Sequence, residues 1–373
     1  MNQAMSYKLF FYFLSLFPLF SCTKSKQQET RSFYMGVTPW PADFTAVEQA
    51  KAYQFINTEC DLVSHHFDEG IPYKEAFSLL PMPLKLKENL QFRKANTLPG
   101  KKILLSVSAL NLTRREKADY FPEGAVEDSV KNRWASLAFD SPEMITAYVN
   151  YISWLVDQLQ PDFVNYGVES NLDSWDLVQF ARYKQFLSRV YSQLKVKYPN
   201  LPFFVSFMVY EVPQALALSR ELLPYTDYVA LSAYPYSSVS SSVNGNTDPA
   251  LFPADYFSRF ADLDANKPFA IAETGYIAED LSIPSFSLQK TGTPTWQQAY
   301  LEKLCAFAQS RKARFLVWFC YKDYDAGSQT LLAAGLYQDL LGLWQDTGLY
   351  DEAGHARPAF TSWQDWMKRQ VIH

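Results

Sequence analysis

The feature that most constrains this chain is a count. Eight short apolar, β-branched or aromatic runs recur between residues 33 and 320, with helical stretches between them. They are Phe33 to Thr38, Asp61 to His66, Lys102 to Ala109, Phe163 to Val168, Phe203 to Phe207, Tyr228 to Ala233, Phe269 to Ala272 and Phe315 to Cys320. Runs so short and so continuously apolar suit parallel strands buried on both faces, whereas half-solvated strands alternate polar and apolar residues. Eight strand–helix alternations predict a sheet closed on itself, a (β/α)8 barrel that forms a single domain over residues 32–373. The 373 residues exceed a typical barrel of about 250 by enough for a leader and long loops.

The intervening segments have the matching period. Ile145, Val149, Ile152 and Val156 recur at helical spacing behind Asp140 as N-cap and Glu143 as the partner in a capping box, and the helix stops before Pro161. Tyr183, Phe186, Val190 and Leu194 mark a second helix ending at Tyr198-Pro199-Asn200. Barrels carry their chemistry at the C-terminal ends of the strands, so the long segments Asn111 to Phe139, Pro235 to Ala254 and Ile277 to Thr295 are expected to shape a ligand site.

The ends and the charge narrow the setting. Lys8, the apolar run Leu9 to Phe20 and Ser21 have the layout of a signal peptide over residues 1–21. Leu19-Phe20-Ser21-Cys22 resembles the lipobox of bacterial lipoproteins, which implies a lipidated Cys22 and a polar tether over residues 22–31. The implied location is exported and anchored in a bacterial membrane, and Thr23 after the cysteine resembles the outer-membrane-sorted type. A net charge of −5 without a basic stretch excludes nucleic acid as a partner. Cys60, Cys305 and Cys320 fit neither a zinc nor a redox spacing and read as buried thiols, with one disulfide open and unassignable.

Two carboxylates follow apolar strands directly: Glu169 ends Phe163-Val164-Asn165-Tyr166-Gly167-Val168, and Glu273 ends Phe269-Ala270-Ile271-Ala272. Both are expected at the barrel mouth. There, one carboxyl desolvated beside aromatic walls and one held by hydrogen-bond donors would divide into an acid and a nucleophile. A strand-end glutamate is also a common salt-bridge partner, so neither residue alone specifies a reaction. His65 and His66 sit side by side, and adjacent strand residues face opposite ways, so no catalytic metal is expected. No cofactor is expected either.

The flanking residues carry a resemblance. Gly167-Val168-Glu169-Ser170-Asn171, with Trp175 after it, and Ala272-Glu273-Thr274-Gly275-Tyr276 resemble the acid/base and nucleophile motifs of the clan A glycoside hydrolases, (β/α)8 barrels with a glutamate ending strands four and seven. Among them the chain is most similar to family 53, the endo-β-1,4-galactanases. The resemblance implies Glu169 as acid/base, Glu273 as nucleophile and Tyr234, in Leu231-Ser232-Ala233-Tyr234-Pro235-Tyr236, as the residue orienting Glu273. It further implies substrate contacts from Trp40, His66, Asn171, Trp175 and Trp318. The chain departs from the pattern twice. Val168 replaces the asparagine usual before the acid/base, and His65-His66-Phe67-Asp68-Glu69 stands where an arginine is common after strand two.

The expected activity is retaining hydrolysis of a β-linked polysaccharide or oligosaccharide, galactan or arabinogalactan among the options. That mechanism requires carboxyl groups about 5 to 5.5 Å apart. The alternative is a surface glycan-binding lipoprotein whose catalysis the Val168 departure has impaired. A third option, a barrel serving partner contact, would go with a mouth filled by side chains. The chain is expected to act as a monomer whose partners are its saccharide and, through the anchor, the membrane.

Overall fold

The computed structural model describes residues 29–372 apart from 122, 124–125, 173–174 and 239–247. The signal peptide, Cys22 and most of the tether lie outside the described residues. Eight parallel strands close into a barrel: β1 (Tyr34–Val37), β2 (Leu62–Phe67), β3 (Lys102–Val107), β4 (Phe163–Gly167), β5 (Phe203–Met208), β6 (Val229–Ala233), β7 (Phe269–Thr274) and β8 (Phe315–Trp318). Each strand pairs with its neighbour in sequence, and β8 pairs with β1 to complete the ring. The sequence-based runs match these strands to within two residues at either end.

Side-chain phase divides the core in two. Leu62, Leu104, Phe163, Phe204, Tyr228, Ala230, Ala270, Ala272, Phe315 and Val317 form an apolar plug inside the barrel. The alternate residues, such as Val63, Leu105, Val164, Val205, Leu231, Leu316 and Trp318, face the helices and join the larger outer core. A period of two puts successive side chains on opposite faces, so both halves of each strand must be apolar. Burying a large apolar side chain contributes about 1.5–3 kcal/mol, and the doubled core therefore stabilises every strand twice over.

Helix Pro142–Leu159 buries the predicted stripe, but its N-cap is Ser141, whose hydroxyl accepts from the Met144 amide, rather than Asp140. Pro142 explains the shift, because proline is accommodated in the first helical turn and the residue before it caps. Helix Leu177–Lys197 ends before Tyr198 as its breaker cluster requires. Cys60, Cys305 and Cys320 are buried free thiols. A short antiparallel hairpin, Leu281–Ile283 with Leu288–Lys290, lies within the long segment after β7. Among the described residues no helix is long and apolar enough to cross a membrane.

The chain's two described ends meet at the barrel base. Thr30–Arg31 pairs in parallel with Gln370–Val371, and buried Arg31 bonds Asp61 at 2.7 Å while its Nε donates to the Trp366 carbonyl at 3.1 Å. The entry of the chain is thereby fixed at the end opposite the mouth.

Candidate active site

Above the plug, the inward positions turn polar. On β2 the phase runs Leu62, Ser64, His66 and then Asp68 just past the strand, while His65 faces outward. His65 is fully buried against Tyr53, and desolvation, reinforced by the Arg93 charge, pushes its imidazole well below the ordinary value. Only His66 therefore reaches the mouth, and the two rings do not converge on one ion. On the far side, Asn165 donates to Ser206 Oγ at 3.1 Å, which in turn accepts the backbone N–H of Glu169 at 2.9 Å.

Glu169 follows β4 in a strained turn. Its φ is +49°, a left-handed conformation that costs a non-glycine residue about 1–3 kcal/mol and persists only where surroundings hold it. Here Ser206 Oγ takes its amide, the Ser206 carbonyl takes that of Ser170, and Ser170 Oγ donates to the Gly167 carbonyl. Gly167 is required by this packing, since a Cβ there would lie 2.7 Å from Val205 and 2.9 Å from Ser170 Oγ.

Glu273 reaches the mouth through an irregularity of register. Leu231 pairs with Ile271 but Ser232 with Glu273, so Ala272 is an extra residue on β7. Ala272 belongs to the interior plug, and simple alternation would have turned Glu273 outward. The bulge turns it back in. Gly275 follows for steric reasons, because a Cβ would sit 2.5 Å from the Phe319 carbonyl and 3.2 Å from the Tyr234 ring.

The two carboxylates have different partners. Tyr234 donates its hydroxyl to Glu273 Oε1 at 2.6 Å, and His66 Nδ1 lies 3.5 Å from Oε2. Burial pushes the Glu273 carboxyl up, but His66, Tyr234 and Arg114 outweigh it and leave the group below the usual carboxylate range. Burial alone would lower His66; Asp68, 3.4 Å from Nε2, and Glu273 raise it instead, which favours an imidazolium between two carboxylates. Burial together with the Glu273 charge keeps Tyr234 protonated and able to donate.

Arg114, from the segment after β3, completes the group. Its buried guanidinium donates to Asp68 through Nη1 at 3.2 Å and Nη2 at 2.9 Å, and through Nε to Glu169 Oε2 at 3.1 Å. Ser108 Oγ and the Asn111 carbonyl accept from Nη1 as well. Ser232 donates to Glu169 Oε1 at 2.6 Å. Side-chain exposure is 12% for Glu169 and 19% for Glu273, so both acids are reachable and neither is freely solvated.

The opposite wall is aromatic. Trp40 packs on Phe319, Tyr324 and Phe44 at centroid separations of 5.5–5.7 Å, while Trp344 stands 6.0 Å from Tyr234 and 6.3 Å from Phe319. Trp318 is not part of this wall: it is fully buried, faces the helices and donates Nε1 to the Thr347 carbonyl. With Val317 inside the barrel, the next inward side chain, just past β8, is Phe319, which the motif resemblance does not include.

Two further expected contacts are corrected in the same way. Asn171 is fully buried and spends its amide on the Met208 backbone and on Ser219 Oγ, tying the turn after β4 to β5. Trp175 is buried and stacks on Tyr183 at 5.0 Å, between Phe139 and Phe180. The mouth thus gathers Trp40, His66, Tyr234, Glu169 and Glu273 from the expected set, and adds Asp68, Arg114, Ser232, Phe319 and Trp344.

The chain superposes along most of its length on solved barrels. These include a GH53 catalytic domain from Ignisphaera aggregans (17% identity, 90% of this chain and 96% of that one, TM-score 0.57) and xylanase 10B from Thermotoga maritima (10%, 90% and 95%, TM-score 0.59). The chain shares the (β/α)8-barrel fold of these proteins. An exo-β-1,4-mannosidase from Opitutaceae bacterium strain TAV5 also matches at 14% identity and TM-score 0.57 over 91% of this chain, which spans 59% of that protein's length. No family model matches the chain, and no curated protein matches it.

Proposed function

We propose that this barrel hydrolyses a β-linked oligosaccharide or polysaccharide with retention of configuration. The observation that carries the reading is the placing of Glu273, held between the Tyr234 hydroxyl and His66, in the same mouth as Glu169 and beside an aromatic wall. Glu273, kept ionised by its donors, attacks the anomeric carbon; the glycosidic C–O bond breaks and the leaving oxygen takes the proton carried by Glu169. Water then attacks the glycosyl–Glu273 ester, giving its proton to Glu169 and releasing the sugar. Trp40, Phe319 and Trp344 offer ring faces on which sugar C–H groups pack.

Galactan and arabinogalactan are the first substrates to offer, on the motif likeness around β4 and β7. The test is release of reducing sugar from a panel of β-linked glycans by residues 23–373, which keep the Thr30–Arg31 clasp, with Glu273→Gln as control. Release that disappears in the control supports the reading, and stereochemistry of the first product followed by NMR separates retention from inversion. Binding without release in both proteins would favour a second reading, a glycan-binding surface lipoprotein. Two features favour that second reading: the ion pair between Arg114 and Glu169, and Val168, whose side chain offers no hydrogen bond.

We also propose that Cys22 carries a lipid. A lipid on Cys22 would tether the barrel by its base, next to the Thr30–Arg31 clasp, and leave the mouth turned away from the membrane. Radiolabelled palmitate incorporation that is lost in Cys22→Ala checks this; equal labelling of both proteins would remove the anchor.

A further inference from the structure

We infer that Asp68 is a positioning residue that sets both acids of the mouth at once, Glu273 through His66 and Glu169 through Arg114. The kinetic consequence rests on the glycosidase reading; the placement itself does not. His66 and Asp68 stand two residues apart, one near the end of β2 and one just past it, so a period of two puts both side chains on the inward face. Asp68 Oδ2 accepts from Arg114 Nη2 at 2.9 Å and lies 3.4 Å from His66 Nε2, while Oδ1 accepts from Nη1 at 3.2 Å. One carboxylate thus sits between the imidazole and the guanidinium.

Each arm ends on a different acid. A guanidinium is a planar fork, and with both terminal nitrogens on Asp68 its plane is fixed, which aims Nε at Glu169 Oε2, 3.1 Å away. Ser108 Oγ and the Asn111 carbonyl also accept from Nη1, and Nη2 rests on Asp68. The imidazole is held from two sides, with Nε2 toward Asp68 and Nδ1 3.5 Å from Glu273 Oε2. All three side chains are largely withdrawn from solvent, which screens their contacts little.

The charges are linked as well as the positions. Burial lowers His66 and so does the Arg114 charge, whereas Asp68 is the largest of the influences that raise it. Asp68 therefore shields the ring from the guanidinium and favours its protonated form beside Glu273. Facing His66 are Asp68, Glu273 from β7 and Arg114 from the segment after β3. Glu273 is faced in turn by His66, Arg114 and Tyr234, and Asp68 by Arg114 and His66.

Asp68→Asn removes the charge and one of the two acceptors. A ¹⁵N titration of the His66 imidazole, assigned with His66→Gln, should show its midpoint falling by about one unit or more. The Arg114 Nε–H signal, assigned with Arg114→Met, should exchange with solvent about tenfold faster once its plane is released. On a cleaved glycan, kcat should fall about tenfold with KM nearly unchanged, and the acidic limb of kcat/KM should move toward neutral pH. In a His66→Gln background Asp68→Asn should leave that limb where it is, since the path to Glu273 is already cut. If either the His66 midpoint or the Arg114 exchange is unmoved, the inference falls. If both move while no form of the protein cleaves a glycan, Asp68 stands as the positioning residue of the mouth and the glycosidase reading falls. Asp68→Glu serves if Asp68→Asn does not fold: it keeps the charge, so the His66 midpoint should stay near that of the parent, while the longer side chain shifts Arg114 and should speed its exchange. An unmoved exchange rate there would also overturn the inference.

Discussion

Two groups of buried acids at the same end of the barrel end in opposite states. In the mouth, Asp68, Glu169 and Glu273 share Arg114 and His66 among them, and Asp68 and Glu273 lie below the ordinary carboxylate range even though burial pushes each of them up. Beyond β8, carboxylate oxygens of Asp323, Asp325 and Asp346 lie within 4.8 Å of one another, and their guanidinium, Arg357, is shared with Glu279. There burial wins: it raises Asp325, and with repulsion from Asp325 and Glu279 it pushes Asp346 up to about 7. Asp323, the deepest of the three, is pushed up to about 8 although it bonds Arg357 at 2.6 Å, so burial sets the direction in this group whereas the cations and donors set it in the mouth.

The largest expected effect removes the nucleophile from the well-supplied group. Glu273→Gln should lower turnover by on the order of a thousandfold or more while keeping the fold, because the amide still fills the space between Tyr234 and His66. Circular dichroism and reducing-sugar release check the two halves of that statement. The next test contrasts two neighbours at the end of β8. Trp318→Ala should cost about 3–5 kcal/mol of stability in denaturant unfolding, since it empties a fully buried site. Phe319→Ala should instead weaken saccharide binding, seen as a raised KM, with a much smaller loss of stability.

His66→Gln sharpens the comparison by withdrawing a cation from the mouth. The Glu273 carboxyl should then rise toward the value that burial alone would impose, the acidic limb of kcat/KM should move toward neutral pH, and kcat should fall about tenfold. An unmoved acidic limb would show that Tyr234 and Arg114 hold the nucleophile without it.

The smallest effect concerns the poorly supplied group. An acid whose folded value is raised binds more protons folded than unfolded, so Asp346 costs stability above its unfolded value near 3.8, increasingly until pH passes about 7. Asp346→Asn should therefore raise the Tm by about 2 °C at pH 8 and leave it unchanged near pH 4. For Glu273 the sign reverses: its lowered value contributes stability above the unfolded carboxylate range that is lost as pH falls through the folded value. Thermal melts carried from pH 8 to below pH 4 would show Asp346→Asn losing its gain and Glu273→Gln losing its deficit as the pH falls.

Much of this was legible beforehand, and the reasons are local. An apolar run reports its own strand whatever surrounds it; Glu169 and Glu273 were found because a polar residue ending such a run stands at the rim, and Tyr234 through the motif resemblance. Phe319 was within reach of the same logic, since a period of two counted from Val317 selects it over Trp318. Asn171 misled because its motif position says nothing about Met208 and Ser219, which arrive from β5 and the following helix to use up its amide.

The sequence by itself determined that eight strands close into a barrel and that two glutamates stand at its rim, because both follow from hydrophobic period and order along the chain. Only the tertiary structure decided which way Glu273 faces, through the extra Ala272 on β7, and what holds Glu169, through an arginine 55 residues away. Register and long-range ion pairing depend on the packing of whole strands against one another, and no stretch of the chain contains that information on its own.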